Sequence, residues 1–310
     1  MIQSSHIVRI AIFLFLNGAL MYSAWRAAGA LLKREDSAGR AVAAFAIYFF
    51  AAGASVALPG FAGALAIRPV AIVAVAAAFA LLAVCRRVGR QMSGTACEGS
   101  EPLSLPVKIF AALTIFALGF MALWSVATPP PPGGDGYIYH LFFPATWLQE
   151  GRIGYVALPY GAQAATYYPL NTELFYAWLM LPLHEDFMTN TAQLLALAAL
   201  AAAVYSIAKR LGAGRSGAML GACCAVLLPG MVQQAGVARV DIFFALWFAA
   251  ALYFIYAWAG GGGAGELVML GLCWGLFVGT KTLGAVFSVC LVPLFIWAAS
   301  KRGAKGAAFG

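Results

Sequence analysis

Asp135 is the residue whose type and position are best suited to chemistry. It lies in Gly133-Gly134-Asp135-Gly136, directly after the four prolines Pro129–Pro132. Glycines on both sides allow a tight turn and let a ligand approach the backbone closely. A carboxylate in such a turn can remove a proton from an acceptor hydroxyl or bind a divalent cation. The alternative, which the local sequence supports equally, is that Asp135 caps a helix beginning near Tyr137.

Further candidates follow Asp135 within the segment 128–190, which holds seven of the twelve tyrosines. Such aromatic density suits stacking on a sugar ring, and it also suits an aromatic belt at a membrane surface. His140 can bind a phosphate or simply serve helix packing. Glu173 can contact substrate, or it can interact with the dipole of a helix that begins beside it. The candidate substrate contacts of this segment are Tyr139, His140, Tyr168 and Glu173.

Three charged residues at the ends of later apolar stretches complete the candidate site. Arg239 and Asp241 lie in Ala238-Arg239-Val240-Asp241, and Lys281 lies in Gly279-Thr280-Lys281-Thr282. Charges beside lipid are costly and often functional, although a local Arg239–Asp241 ion pair that caps a helix is the alternative. Lys281 can meet a lipid phosphate or pyrophosphate, or it can extend to the membrane surface.

The composition predicts that these residues belong to a polytopic membrane protein. The chain is 63% hydrophobic and 10% charged, whereas soluble domains are roughly 45–50% apolar and about 25% charged. The net charge of +8 is therefore a topology signal rather than a nucleic-acid footprint, and no nucleic-acid partner is expected. Backbone groups in lipid must be satisfied internally, so the predicted fold class is an all-α membrane helix bundle.

The apolar stretches predict about nine transmembrane helices, because roughly 20 apolar residues cross a bilayer. They lie at 7–26, 41–58, 69–85, 107–127, 188–208, 216–232, 241–259, 266–280 and 283–300.

The basic residues predict the orientation of these helices. If the segment 128–190 faces outside and the helices alternate, fourteen of the nineteen basic residues face the cytoplasm, as the positive-inside bias requires. We therefore expect a plasma-membrane protein (the inner membrane of a bacterium) with its long loop on the extracytoplasmic side. The fourteen are Arg26, Lys33, Arg34, Arg40, Arg86, Arg87, Arg90, Lys108, Lys209, Arg210, Arg215, Lys301, Arg302 and Lys305.

Two helices are predicted inside the long outer loop. The first covers Tyr137–Gln149 and is bent or ended by Pro144. We expect it to lie flat in the membrane interface with Trp147 at headgroup level. The second covers Thr172–Leu181, with Asn171 as its N-cap.

In their order, these motifs resemble the GT-C superfamily of membrane glycosyltransferases, and specifically the bacterial relatives of the protein mannosyltransferase and aminoarabinose transferase group. The resemblance covers about residues 107–300. It rests on the four sequences GDGYIYHL from Gly134, YYPLNTEL from Tyr167, ARVDI from Ala238 and GTKT from Gly279.

The resemblance implies transfer of a sugar from a polyprenyl-phosphate donor to a glycan, lipid or protein acceptor on the outer face of the membrane. It implies that Asp135 is the general base or a metal ligand, and some relatives use a divalent cation. It also implies the division into an N-terminal three-span extension with its inside linker, 1–106, and a GT-C-like module, 107–310, that is incomplete at its C-terminus. Many members carry a second acid directly after the catalytic one, where this chain has Gly136.

A non-enzymatic membrane protein, either a transporter or a lipid-handling scaffold, is the competing class. A transporter is expected to place charges or broken helices near the bilayer midplane. One outer cavity shared by Asp135 and Lys281 and open to lipid favours the transferase, whereas a polar midplane cavity favours transport.

Overall fold

The computed structural model describes residues 4–32, 37–88, 101–128, 134–159 and 163–307. These residues form helices and connecting turns, with no β-strand among them. The twelve α-helices are α1 Ser4–Leu31, α2 Ser37–Phe61, α3 Ile67–Val88, α4 Leu105–Ala127, α5 Phe142–Glu150, α6 Asn171–Met180, α7 Ala192–Arg210, α8 Arg215–Val226, α9 Pro229–Ala235, α10 Asp241–Ala259, α11 Ala264–Val278 and α12 Leu283–Ala307. A π-helical turn, Gly136–His140, precedes α5, and 3-10 turns cover Gln163–Tyr167 and Thr189–Thr191.

The number of membrane-spanning helices is lower than the predicted nine. In the described part of the chain, seven helices are long and apolar enough to cross a bilayer, or eight if the pair α8 and α9 counts as one span. That pair bends by 62°, because Pro229 begins α9 and disfavours a helical residue before it. The helix α11 has 15 residues, or roughly 22 Å at about 1.5 Å per residue, short of a core of about 30 Å.

The core joins the N-terminal helices to the helices that carry the candidate site. The ring of Phe49 in α2 lies 4.9 Å from that of Phe175 in α6, and 5.1 Å from those of Phe243 and Trp247 in α10. Asn17 of α1 adds polar links, because its side-chain oxygen accepts hydrogen bonds from Tyr48 and Trp178. Residues of 1–106 and of 107–310 therefore share one hydrophobic core.

Basic residues are concentrated at one end of the bundle. At one end, Arg40 bonds to the last turns of α1 and Arg302 lies over Trp258 at the end of α10. The predicted cytoplasmic basic residues whose side chains are described lie towards this end. The other end holds Asp241 at the start of α10, together with the acid-bearing segment 134–190. Most basic residues therefore share one end, as the predicted topology requires, while the other end carries charges of both signs. The sidedness of the membrane stays a prediction.

Replacement of Gly265 by alanine tests the close approach of α11 to α1. A Cβ at Gly265 would overlap the carbonyl of Leu31, whereas a Cβ at Gly271 in the same helix meets nothing within 4 Å. We expect Gly265→Ala to reduce the free energy of unfolding by about 1–3 kcal/mol. Gly271→Ala should be neutral or stabilising, because alanine favours helix. Thermal unfolding of both variants in detergent measures the difference, and equal midpoints would contradict the packing.

Candidate functional site

The segment after Asp135 forms a π turn followed by a short α-helix, where a single helix was predicted. The π turn Gly136–His140 comes first, and α5 begins only at Phe142. The break lies at Leu141 and not at the expected Pro144, because proline in the first helical turn lacks only an N–H that needs no partner there. The Asp135 side chain is exposed and makes no capping hydrogen bond. Its carboxylate is thus not used as a helix cap, which was the alternative to a chemical role.

The α5 helix packs into the protein rather than lying with its tryptophan at headgroup level. Trp147 is fully buried, its ring is stacked on Phe143 with centroids 6.0 Å apart, and its Nε1 donates to the carbonyl of Gly154 at 3.3 Å. The expected interfacial position of this side chain is wrong, since the turn after α5 folds back over it.

The glycines around Asp135 bring its turn against Arg239. Gly134 has φ +67°, which favours glycine, and a Cβ there would lie 3.4 Å from Nη2 of Arg239. A Cβ on Gly136 would lie 3.1 Å from the carbonyl oxygen of Ala238. The Asp135 turn and the start of α10 therefore form one surface.

The alternative role of Arg239, an ion pair with Asp241 that caps the helix, is not seen in the structure. Its Nε is buried and has no hydrogen-bond partner among the described residues. Asp241 instead forms an ion pair with Lys281, which lies in the turn between α11 and α12. Both side chains of that pair are about one-third exposed, 39% for Asp241 and 31% for Lys281. Lys281 is thus partly neutralised, while Arg239 is a cation without a carboxylate partner in the described structure.

His140 and Glu173 form a buried pair behind this surface. Nδ1 of His140 lies 2.5 Å from Oε1 of Glu173, and both residues are almost fully buried. The second carboxylate oxygen of Glu173 and the hydroxyl of Thr172 are buried without partners in the described residues. The pair links the end of the π turn to the first turn of α6. Direct substrate contact by His140 or Glu173 stays a prediction, and their burial favours a role within the protein.

The start of α6 docks on the turn that holds Lys281. Asn171, expected to be the N-cap, is instead the first residue of the helix. Its backbone N–H donates to the carbonyl of Gly279 at 3.1 Å, and its Nδ2 donates to Leu276 at 3.5 Å. A Cβ on Gly279 would overlap the Asn171 amide. Tertiary bonding has therefore replaced local capping at this helix end.

Tyr139 stands among the acidic groups of the site. Its ring meets Tyr168 edge-on with centroids 5.8 Å apart. Burial raises the pKa of the Tyr139 phenol, and the negative charges of Asp135, Glu173 and Asp241 raise it further, as does Tyr168. The phenol therefore remains a proton-bearing hydrogen-bond donor. All eight predicted site residues lie in one region of the structure, although their roles stay predictions.

Sequence reasoning missed two residues that position this region. Gln193 of α7 is fully buried, donates to the carbonyls of Gln234 and Val237 at 2.8 and 2.9 Å, and accepts from the backbone N–H of Ile242 at 2.9 Å. Tyr176 of α6 donates to the carbonyl of Arg239. The signal available for Gln193 was a lone amide at the start of an apolar span, where polar groups are costly unless bonded.

Metal ligands and cavities are two further features that bear on the site. No three His, Cys, Asp or Glu side chains converge within the described ranges. An enclosed apolar cavity of about 150 Å³ lies elsewhere, between α1 and the segment 179–188. Asp135 and Lys281 do not line it.

The fold and the site together define a helical bundle of the multi-pass membrane type with a charged cluster at one end. No family model, curated protein or solved structure matches the chain.

Replacement of Gln193 by leucine tests its role in holding the segment before α10. The change leaves the buried N–H of Ile242 without its partner, which costs about 1–3 kcal/mol. The carbonyls of Gln234 and Val237 each lose one hydrogen bond and keep a second one, from the backbone N–H groups of Val237 and Arg239. We expect a clear fall in the thermal unfolding midpoint in detergent. Gln233→Leu is the matched control, because Gln233 is exposed. A similar midpoint for both variants would contradict the role of Gln193.

Proposed function

We propose that this protein is a membrane glycosyltransferase that moves a sugar from a polyprenyl-phosphate donor to an acceptor hydroxyl at the extracytoplasmic face of the plasma membrane. One observation carries the proposal. Asp135, exposed and making no capping bond, lies in a turn beside Arg239, a cation that has no carboxylate partner among the described residues. A base and an anion-binding cation are the two groups that such a transfer requires.

The chemistry follows from the charges of these two groups. The Asp135 carboxylate takes the proton from the acceptor hydroxyl as the new bond forms between its oxygen and the anomeric carbon. The bond from that carbon to the phosphate oxygen breaks, and its electron pair leaves with the lipid phosphate. Arg239 stabilises the developing phosphate charge, because guanidinium groups bind phosphate through parallel hydrogen bonds.

The pairing of Lys281 decides which cation has this role. Lys281 is already bonded to Asp241, so its charge is partly satisfied before a substrate arrives. Nε of Arg239 is buried and has no partner in the described part of the chain, and its Nη2 lies beside the Asp135 turn. A phosphate bound to Arg239 would therefore lie next to the proposed base.

Tyr139 and Tyr168 are suited to the sugar. Their edge-on rings provide an aromatic surface, and the phenol of Tyr139 can donate a hydrogen bond to a sugar oxygen. A divalent cation is compatible with the site if Asp135 shares it with donor phosphate oxygens and water, as Mg²⁺ sites with one or two carboxylates do. The acceptor class, whether glycan, lipid or protein, stays open.

A lipid-handling or transport protein is the second candidate. The 62° bend between α8 and α9 favours it, because broken helices line the substrate sites of many transporters. The charged cluster, however, lies at one end of the bundle rather than midway along its helices. The transferase is therefore the better-supported proposal.

Loss of the carboxylate tests the role of Asp135. We expect Asp135→Asn to reduce glycosyl transfer by about 10²–10⁴-fold, the usual contribution of a general base. Transfer is measured in membranes with a panel of radiolabelled polyprenyl-phosphate sugars. Glu150→Gln is the control, because Glu150 is an exposed acid of the same loop, bonded only to Arg152. Equal transfer by wild type and Asp135→Asn would remove Asp135 from the chemistry.

The two cations can be separated by their effect on donor binding. Arg239→Gln should raise the apparent KM for the donor roughly 10- to 150-fold, since a hydrogen bond to a charged group contributes about 1.5–3 kcal/mol. Lys281→Gln should raise it less, because Lys281 is engaged by Asp241. Initial rates at varied donor concentration provide the comparison. A larger effect at Lys281 would reverse the assignment.

A further inference from the structure

The backbone next to Asp135 is an uncommon form that its surroundings must hold. The residues Gly136–His140 make a π turn, closed by the N–H of Leu141 donating to the carbonyl of Gly136 at 2.8 Å. π turns are rare in proteins, and those that occur are often found at functional sites. Asp135 immediately precedes this turn and His140 ends it. Any motion of His140 is therefore transmitted through a single turn to the carboxylate of Asp135.

Each end of the π turn is fixed by a different contact. At the start, Gly136 lies against the carbonyl of Ala238, so close that a Cβ would be 3.1 Å from the oxygen. At the end, Nδ1 of His140 bonds to Oε1 of Glu173 at 2.5 Å. The first contact is close packing without a bond. The second is directional, and it attaches the turn to α6.

The His140–Glu173 pair is placed to position a neighbour rather than to bind substrate. Both residues are almost fully buried, so they offer little side-chain surface to a substrate. Burial and the negative charges of both Asp135 and Glu173 raise the pKa of Tyr139, so both carboxylates lie near this tyrosine. Burial and the charge of Glu173 also raise the pKa of Tyr176, whose hydroxyl donates a hydrogen bond to the backbone carbonyl of Arg239.

We propose that His140 and Glu173 are positioning residues, whose buried hydrogen bond holds the π turn in the geometry that presents Asp135 to substrate. The role assigned to Asp135 rests on the proposed function, whereas the holding of the turn does not. The pair acts through Asp135 and takes no proton from substrate itself. Its directional bond, rather than its bulk, is the feature that matters.

Two substitutions of nearly equal size separate this role from packing. Glu173→Gln keeps an oxygen that accepts from His140, and Glu173→Leu removes the acceptor. Glu173→Leu removes a carboxylate and adds no charge, so it tests the loss of the hydrogen bond to His140. Should Glu173→Leu not fold, the double variant His140→Phe/Glu173→Leu removes both polar groups and takes its place.

The first readout is the position of residue 135 and needs no activity. A thiol introduced by Asp135→Cys, in a protein whose six native cysteines are replaced by alanine, is labelled with a soluble maleimide. We expect Glu173→Leu to change the labelling rate by at least about fivefold, as local opening of the turn does. Glu173→Gln should leave the rate unchanged. Equal rates in all three proteins would show that the pair only fills space and would overturn the proposal.

The second readout is a double-mutant cycle on glycosyl transfer. Glu173→Leu should lower transfer by about 10²-fold, the cost of roughly 1 Å of misplacement, while Glu173→Gln retains it. In an Asp135→Asn background Glu173→Leu should have no further effect, because residues that act through one another are non-additive. Losses that multiply would overturn the positioning role. If the wild type transfers no sugar, the proposed function fails, and the labelling rates still decide the inference.

Discussion

The ion pair between Lys281 and Asp241 is the interaction on which the arrangement of the site depends. It joins the first turn of α10 to the turn between α11 and α12. The same α11–α12 turn also contacts α6, because the backbone N–H of Asn171 donates to the carbonyl of Gly279. Because Asp241 is engaged by Lys281, Arg239 two residues earlier has no carboxylate partner in the described structure and remains available to an anion. One pairing thus fixes two helix ends and decides which cation is free.

From this pair the contacts form a closed ring of four segments. α10 meets the α11–α12 turn through Asp241 and Lys281, and that turn meets α6 at Gly279. α6 meets the π turn through Glu173 and His140, and the π turn returns to the start of α10 where its glycines lie on Ala238 and Arg239. Gln193 and Tyr176 hydrogen-bond to the backbone before and at the start of α10 and so support this arrangement. Each polar group that is paired here avoids the cost of an unpaired group in an apolar bundle.

The sequence indicated the helical membrane class, the concentration of basic residues at one end and the positions of most helices, because these follow from local composition. It overestimated the number of spans, since periodicity does not show that Pro229 breaks a span or that α11 is too short. It placed Asn171 at a cap and offered an Arg239–Asp241 ion pair as the alternative to a functional role, because local rules consider only neighbours in the chain. Tertiary partners, Gly279 and Lys281, supplied better bonds. The burial of His140 and Glu173 likewise depended on packing that no spacing reveals.

Zero-length carbodiimide cross-linking, read by mass spectrometry, tests the assembly of this site most directly. Lys281 and Asp241 are in contact and both are partly exposed, so an amide bond between their side chains should form in the native protein and vanish after Asp241→Asn. That result would place the start of α10 against the α11–α12 turn, as the ring of contacts requires. A link from Lys281 to a different carboxylate, with no Asp241 product, would show that the start of α10 does not meet the α11–α12 turn and would contradict the account.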